Sequence, residues 1–423
     1  MVDKFAKESE TFVRSLGIEV VNTPPVIVYT DTPKATDDLR KERVDFILAV
    51  ILSWVEAPNV TAVLKEFFHK PILLWSHTMF KEKGKLLTLG PLPGSGVVRE
   101  TLEEMGANFK FFWGMPGEDR VRQEILTFAR AAYAVSTLAR SKIGLLGYAS
   151  MGMYTGTFDH VSVRNKLGPE IEHVDQYELV RTVETVDEGQ VNELVREMRD
   201  EWEISPRVTE EDLKKTAKMY LSLKSMIKKY GWNALTVKCQ YELSKLYGFA
   251  ACVPLSMLGR EVTCSCEGDV PLIITQLIMH YLTGKTITYA DVHMIGKDSL
   301  LLAACGFAPF DLASGKPKVD KHTALVEGLL NSTQYKTGPV TLARLAACNN
   351  GYKMHIAVGQ AGIPEPFNEV GCPQYPSMSV KLDGNADHFG QHLMSQHYAI
   401  VHDHVKEDLL EFCDLLGIKS IVS

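Results

Sequence analysis

The stretch Cys266–Asp291 reads CEGDVPLIITQLIMHYLTGKTITYAD. Asp269 is a good helix N-cap and Pro271 suits a first helical turn. Ile273, Leu277, Ile278 and Tyr281 recur at helical spacing, so the segment predicts a helix with one apolar face. Gly284 stops it, and the β-rich run Thr286–Tyr289 leads to Asp291. Glu267 thus precedes a helix that packs on a strand ending at Asp291. That layout brings two carboxylates to one end of a sheet, where α/β proteins place their ligands. A histidine-crowded segment follows about a hundred residues on, with His388, His392, His397, His402 and His404. Two carboxylates and an imidazole suit Mn²⁺ or Mg²⁺, leaving positions for water and substrate.

Composition bounds the class. The 423 residues exceed a single ordinary core and predict two or three domains. A hydrophobic share of 45% with 23% charged residues is that of a globular protein. The net charge of −7 argues against nucleic acid as the main partner. The polar start MVDKFAKESETF is not a signal peptide, and no run of about twenty apolar residues offers a membrane span. The expectation is a cytoplasmic enzyme. The eight cysteines, at 239, 252, 264, 266, 305, 348, 372 and 413, lack the paired spacing of a structural zinc site and read as free thiols.

Three segments follow one another: an N-terminal α/β domain over 1–141, a second α/β domain over 142–284, and a β-rich domain over 285–423. In the first, Val26–Tyr29, Val44–Leu52 and Pro71–Trp75 read as strands or buried apolar runs, separated by helical patterns at Asn59–Phe68 and Gly96–Met105. Such alternation predicts parallel sheets flanked by helices, hence two Rossmann-like domains. The Gly/Pro-rich run Gly90–Gly96 reads as a turn shaping a subunit interface or substrate pocket, without the lysine of a phosphate loop. The strand Ile143–Gly147 precedes MGMYTGTFD, whose glycines do not match a dinucleotide fingerprint. Glu201–Tyr230 reads as a charged helix, and Leu235–Lys238 as a strand leading to Gln240. The last segment has short strands and many turns before a helix over Val405–Leu416, which suits a mostly antiparallel sheet or barrel. Within it HYAIVHDH alternates as a strand running into a loop.

These pieces resemble the L-fucose/L-arabinose isomerase-like family of metal-dependent aldose–ketose isomerases. The resemblance rests on CEGD with its helix and the strand reaching Tyr289-Ala290-Asp291, on Ile143–Asp159, on Gly338–Leu345, and on SQHYAIVHDHVKEDLLEFCDLLGI (Ser395–Ile418). It implies an isomerase moving a proton between C1 and C2 of an open-chain sugar through a cis-enediol. It implies a metal, Mn²⁺ or else Mg²⁺ or Co²⁺, held by Glu267, Asp291 and His397, with Glu267 as base and Asp291 as its partner. His388 and His392 are the alternative imidazole ligands, and His293 is a candidate supporting residue. Lys238, Gln240, Gln396 and Trp54 are the expected substrate contacts. The tryptophan corresponds to one that a neighbouring subunit's first domain contributes, and Gln396 stands where the family often has Asn or His. Tyr154 and Asp159 are candidates for a subunit contact in a homo-oligomer, hexamer or trimer. Two other readings stay open: an isomerase of a sulfonated or phosphorylated sugar, with Lys238 and Arg260 available for the anion, or a non-catalytic cytoplasmic sugar-binding protein.

Overall fold

A computed structural model describes residues 1–149, 152–322, 327–349, 351–365 and 375–423. The chain divides into two compact units, Met1–Ser136 and Thr137–Ser423. Cys372 lies outside the described residues.

The first unit is built on three parallel strands, β1 (Ile47–Ile51), β2 (Ile72–Ser76) and β3 (Phe109–Trp113), in the order β1-β2-β3. The middle strand is buried along its whole length, as a parallel strand covered on both faces must be. Two expectations fail here. Val26–Tyr29 makes no strand. Pro24 and Pro25 supply no N–H to a ladder, and the Asp31 carboxylate accepts from the N–H groups of Ile27 and Val28 at 2.9 and 3.0 Å, turning the chain into a 3₁₀ turn. The Gly90–Gly96 run is not a turn either. The helix Pro91–Glu104 begins there, with proline in its first turn, where a missing N–H costs nothing. Gly94 lets that helix approach closely: a Cβ on it would sit 3.0 Å from the Val55 backbone nitrogen.

The second unit holds two large sheets and a small third one of Glu203–Ile204, Lys318–Lys321 and Leu329–Asn331. Four parallel strands, β4 (Lys142–Leu146), β5 (Glu170–Val174), β6 (Ala234–Val237) and β7 (Thr263–Cys266), lie in the order β7-β6-β4-β5. The charged run Glu201–Tyr230 is not one helix. A helix ends at Glu201, a two-residue strand Glu203–Ile204 follows, and Pro206 separates it from the helix Glu210–Tyr230, which Thr209 and Asp212 open with a capping box.

The C-terminal part is an antiparallel, barrel-like sheet, as its composition led one to expect. Its strands are β8 (Thr288–Ile295), β9 (Ser299–Ala303), β10 (Gly338–Cys348), β11 (Gly351–Gly362), β12 (Ser377–Leu382) and β13 (His397–Val401). They pair in the order β10-β13-β8-β9-β12-β11, and β11 pairs back to β10. The strand β14 (Lys419–Val422) adds in parallel to β11. The ring encloses Leu300, Leu302, Leu342, Met378, Val380, Phe389 and Tyr398, all buried.

The helix Val270–Thr283 joins the two large sheets. It packs on β6 and β7 as well as on β10 and β13. Every residue from Val270 to Met279 is consequently buried, so the expected single apolar face is in fact an apolar circumference. The strand after it also runs beyond Asp291 to Ile295, with an irregularity of register at His293.

Candidate active site

Strand β7 ends at Cys266, and the chain turns sharply to enter the central helix. Glu267 has φ +72° and Gly268 φ +64°. A side chain at 268 would put a Cβ 2.6 Å from the Tyr148 carbonyl oxygen, so glycine is required there. Glu267 holds a left-handed conformation without that freedom, which costs on the order of 1 kcal/mol and recurs at functional positions. The turn leaves Glu267 at the carboxyl end of a parallel strand, facing the barrel.

The barrel supplies the other two groups. Asp291 on β8 and His397 on β13 are directly paired across the ladder, so their side chains lie side by side. His397 Nε2 is 3.3 Å from Glu267 Oε2 and 3.3 Å from Asp291 Oδ1. His397 is fully buried, Glu267 nearly so, and Asp291 half-buried. On the other side of the ring, His397 Nδ1 meets Asp269 Oδ2 at 2.9 Å. Asp269 Oδ2 also accepts from Arg344 Nη1 at 2.8 Å, and Arg344 Nη2 donates to the Thr155 carbonyl at 2.7 Å. With Nδ1 carrying the hydrogen toward Asp269, Nε2 keeps its lone pair directed between the two carboxylates.

That nitrogen is buried without a hydrogen-bond partner among the described residues. Adjacent ligands of a small octahedral cation lie about 3 Å apart, close to the separations at Nε2. Glu267, Asp291 and His397 are thus groups that could hold a hard divalent cation, although among the described residues the three side chains whose ligand atoms all lie within 4.8 Å of one another are Cys266, Glu267 and Cys305. The electrostatics agree. Burial lowers the His397 pKa, but the negative Glu267 and the Asp269 hydrogen bond outweigh it and raise it well above the ordinary value. Burial likewise opposes the Glu267 charge, and the positive His397 still holds its pKa below the usual value. Asp269, against the same burial, is held down to about 2 by Arg344 and His397. The site demands positive charge at Nε2, from a proton or from a cation.

The other expected residues fall in different places. Lys238 follows β6 beside the turn that carries Glu267. It is fully buried, ion-paired with Glu242, and lies over the Tyr148 ring at 4.2 Å. Gln240 is half-buried at the same strand end. Gln396 contacts Met153 and accepts from Ser395 Oγ at 2.9 Å. Trp54 sits in the first unit, 58% exposed. His293 is exposed at the irregular register, Tyr154 is exposed, and Asp159 caps the helix His160–Lys166. The His388 and His392 rings lie against each other, tilted by 38° with centroids 4.1 Å apart, and His388 Nδ1 contacts Ser423 Oγ at 2.7 Å.

Three participants escape a reading of the sequence. Asp269 does more than cap: Oδ1 accepts from Leu272 N at 3.0 Å while Oδ2 serves His397 and Arg344. Arg344 is signalled only by a lone charge in the apolar strand Leu342–Leu345. Cys305, whose thiol donates to Glu267 Oε1 at 3.4 Å, carries no sequence signal.

A family model described as the L-arabinose isomerase central domain matches residues 154–276. The sulfoquinovose isomerase of Clostridium sp. (strain MSTE9) is 21% identical over 373 residues, which cover 85% of this chain and 82% of that protein. The L-arabinose isomerase of Clostridium beijerinckii is 22% identical over 284 residues, 62% of this chain and 56% of that protein. The carboxylate pair, the EGD turn and the barrel histidine thus occur in a chain similar to sugar isomerases through most of its length. The chain is thus similar to the L-arabinose/L-fucose isomerase-like family of sugar isomerases.

Proposed function

We propose that the protein is a metal-dependent aldose–ketose isomerase with its site at Glu267, Asp291 and His397. The observation that carries the reading is the partnerless, buried Nε2 of His397 facing two carboxylate oxygens at 3.3 Å each. A divalent cation there, Mn²⁺ or else Mg²⁺ or Co²⁺, supplies Lewis acidity toward the C1 and C2 oxygens of an open-chain sugar. Glu267 takes the proton from the substrate carbon and returns it to the neighbouring carbon, passing through a cis-enediol. Asp291 handles the hydroxyl proton that must move in the opposite sense. Asp269 and Arg344 hold the imidazole of His397 in one tautomer and keep water from its Nδ1. Gln240 and Gln396 bind sugar hydroxyls. The protein acts as a homo-oligomer, a trimer or hexamer, in which the exposed Trp54 of a neighbouring copy covers the site.

Dialysis against a chelator tests this reading, followed by assay of ketose formation from a panel of aldoses. Turnover is expected to vanish and to return with Mn²⁺. Undiminished turnover in a verified metal-free preparation contradicts it.

One observation favours an anionic sugar over a neutral one. Lys238 lies fully buried next to the Glu267 turn, where a substrate anion would replace Glu242 as its partner, and the sulfoquinovose isomerase similar to this chain is named for a sulfonated sugar. On that reading Lys238→Met raises KM for a sulfonated aldose and leaves neutral aldoses nearly unchanged. Equal effects on both substrates count against it.

A further inference from the structure

The two oxygens of Glu267 face different surroundings. Oε2 looks toward His397, whereas Oε1 accepts from the Cys305 thiol at 3.4 Å. On the Oε1 side, one ligand atom each from Cys266, Glu267 and Cys305 lies within 4.8 Å of the others. Two thiolates on a tetrahedral zinc stand about 3.7 Å apart at ordinary bond lengths, so side-chain rotation of these two residues closes the gap. The three come from separate elements: Cys266 ends β7, Glu267 forms the strained turn, and Cys305 follows β9. Further sulfur lies close by, in the buried thiols of Cys239 and Cys252. The Cys266 thiol also lies 2.6 Å from the Tyr289 hydroxyl. Cys305 is only half-buried, which leaves an ion a way in. The isomerase chemistry uses none of this sulfur.

We propose that Cys266, Cys305 and the Oε1 side of Glu267 form a second cation site, suited to a thiophilic divalent ion such as Zn²⁺ or Cd²⁺. Soft thiolates select such ions, whereas the Asp291–His397 side prefers the harder Mn²⁺ or Mg²⁺. Binding releases the two thiol protons to solvent as two metal–sulfur bonds form, and Glu267 is already ionised. Since Glu267 serves both sides, an ion in the sulfur site draws on the carboxylate that the hard site needs. The protein is therefore inhibited by thiophilic ions at low stoichiometry.

The test is a titration of the full chain, freed of metal and fully reduced, with Cd²⁺ alone. The readout is the ultraviolet charge-transfer band of cadmium–thiolate bonds, with no sugar present. The band is expected to saturate at one equivalent in the wild type and in Cys348→Ser, where an exposed cysteine is removed. Cys305→Ser is expected to weaken apparent Cd²⁺ affinity by at least about tenfold. The double variant with Cys266→Ser is expected to lose the band. Should Cys266→Ser unfold, the half-buried Cys305→Ser decides alone, with its fold checked by circular dichroism. No band at one equivalent, an unchanged band in Cys305→Ser, or a band lost in Cys348→Ser overturns the proposal. So does a thiol count showing Cys266 and Cys305 already oxidised to each other. The band is read without substrate, so its failure leaves the isomerase reading standing and the loss of that reading leaves the band.

Discussion

Asp269 connects the site to the scaffold through a single carboxylate. Oδ1 caps the central helix, and Oδ2 pairs with a fully buried arginine and a fully buried histidine. Asn at 269 retains the cap but not the charge. Asp269→Asn is therefore expected to strand Arg344, lowering stability by about 3 kcal/mol or more in thermal melts. It is also expected to weaken Mn²⁺ binding about 10- to 100-fold, because His397 is no longer locked in one tautomer. A variant with wild-type melting and wild-type Mn²⁺ affinity means that the network does not position His397. Glu267→Gln separates the two effects: melting stays near wild type while Mn²⁺ binding and ketose formation collapse. Glu267 and Asp291 were legible as a pair because one helix and one strand connect them in sequence. Asp269 was legible only as a cap, since nothing local announces a partner 75 residues away in Arg344 or 128 away in His397. Arg344 was hidden for the same reason: a buried charge is visible only through its distant partner.

The turn from β7 into the central helix decides whether Glu267 reaches the barrel. Gly268→Ala forces a Cβ against the Tyr148 carbonyl and strains a positive φ. A loss of about 1–3 kcal/mol is expected, with a parallel fall in Mn²⁺ affinity as Glu267 is displaced. Gly284→Ala, at the helix C-terminus with φ +67° and open space around it, serves as the comparison: it costs stability without touching Mn²⁺ binding. If the two variants bind Mn²⁺ equally well, the turn does not position the carboxylate. The central helix itself was legible from its cap, its proline and its glycine stop. Its burial on every side was not, because periodicity reports one partner surface and this helix has two. The lost strand at Val26–Tyr29 shows the converse. Its β-branched residues favoured a strand, but two preceding prolines and the Asp31 carboxylate took its backbone partners elsewhere.

At the scale of the whole molecule, three buried histidines set the response to acid. Burial depresses His77, His322 and His355 to about 4, below the usual 6.5. The unfolded chain therefore binds more protons than the folded one between those values. Their contribution to stability is complete above pH about 6.5 and is lost as pH falls through about 4. Melting temperature is expected to decline as pH falls below about 6.5, and His355→Gln to flatten that decline. A melting temperature that rises on acidification from pH about 6.5 toward 4 contradicts this. The parallel sheets and the antiparallel barrel were legible from alternating elements and then from short strands, but the closure of β10 on β11 follows from register, which one sequence does not display. The most direct test of the account is a diffraction experiment on crystals soaked in Mn²⁺, with the metal located by its anomalous signal. The account predicts a peak within bonding distance of Glu267 Oε2, Asp291 Oδ1 and His397 Nε2. A peak on His388 and His392 instead, with His397 turned away from the carboxylates, contradicts it.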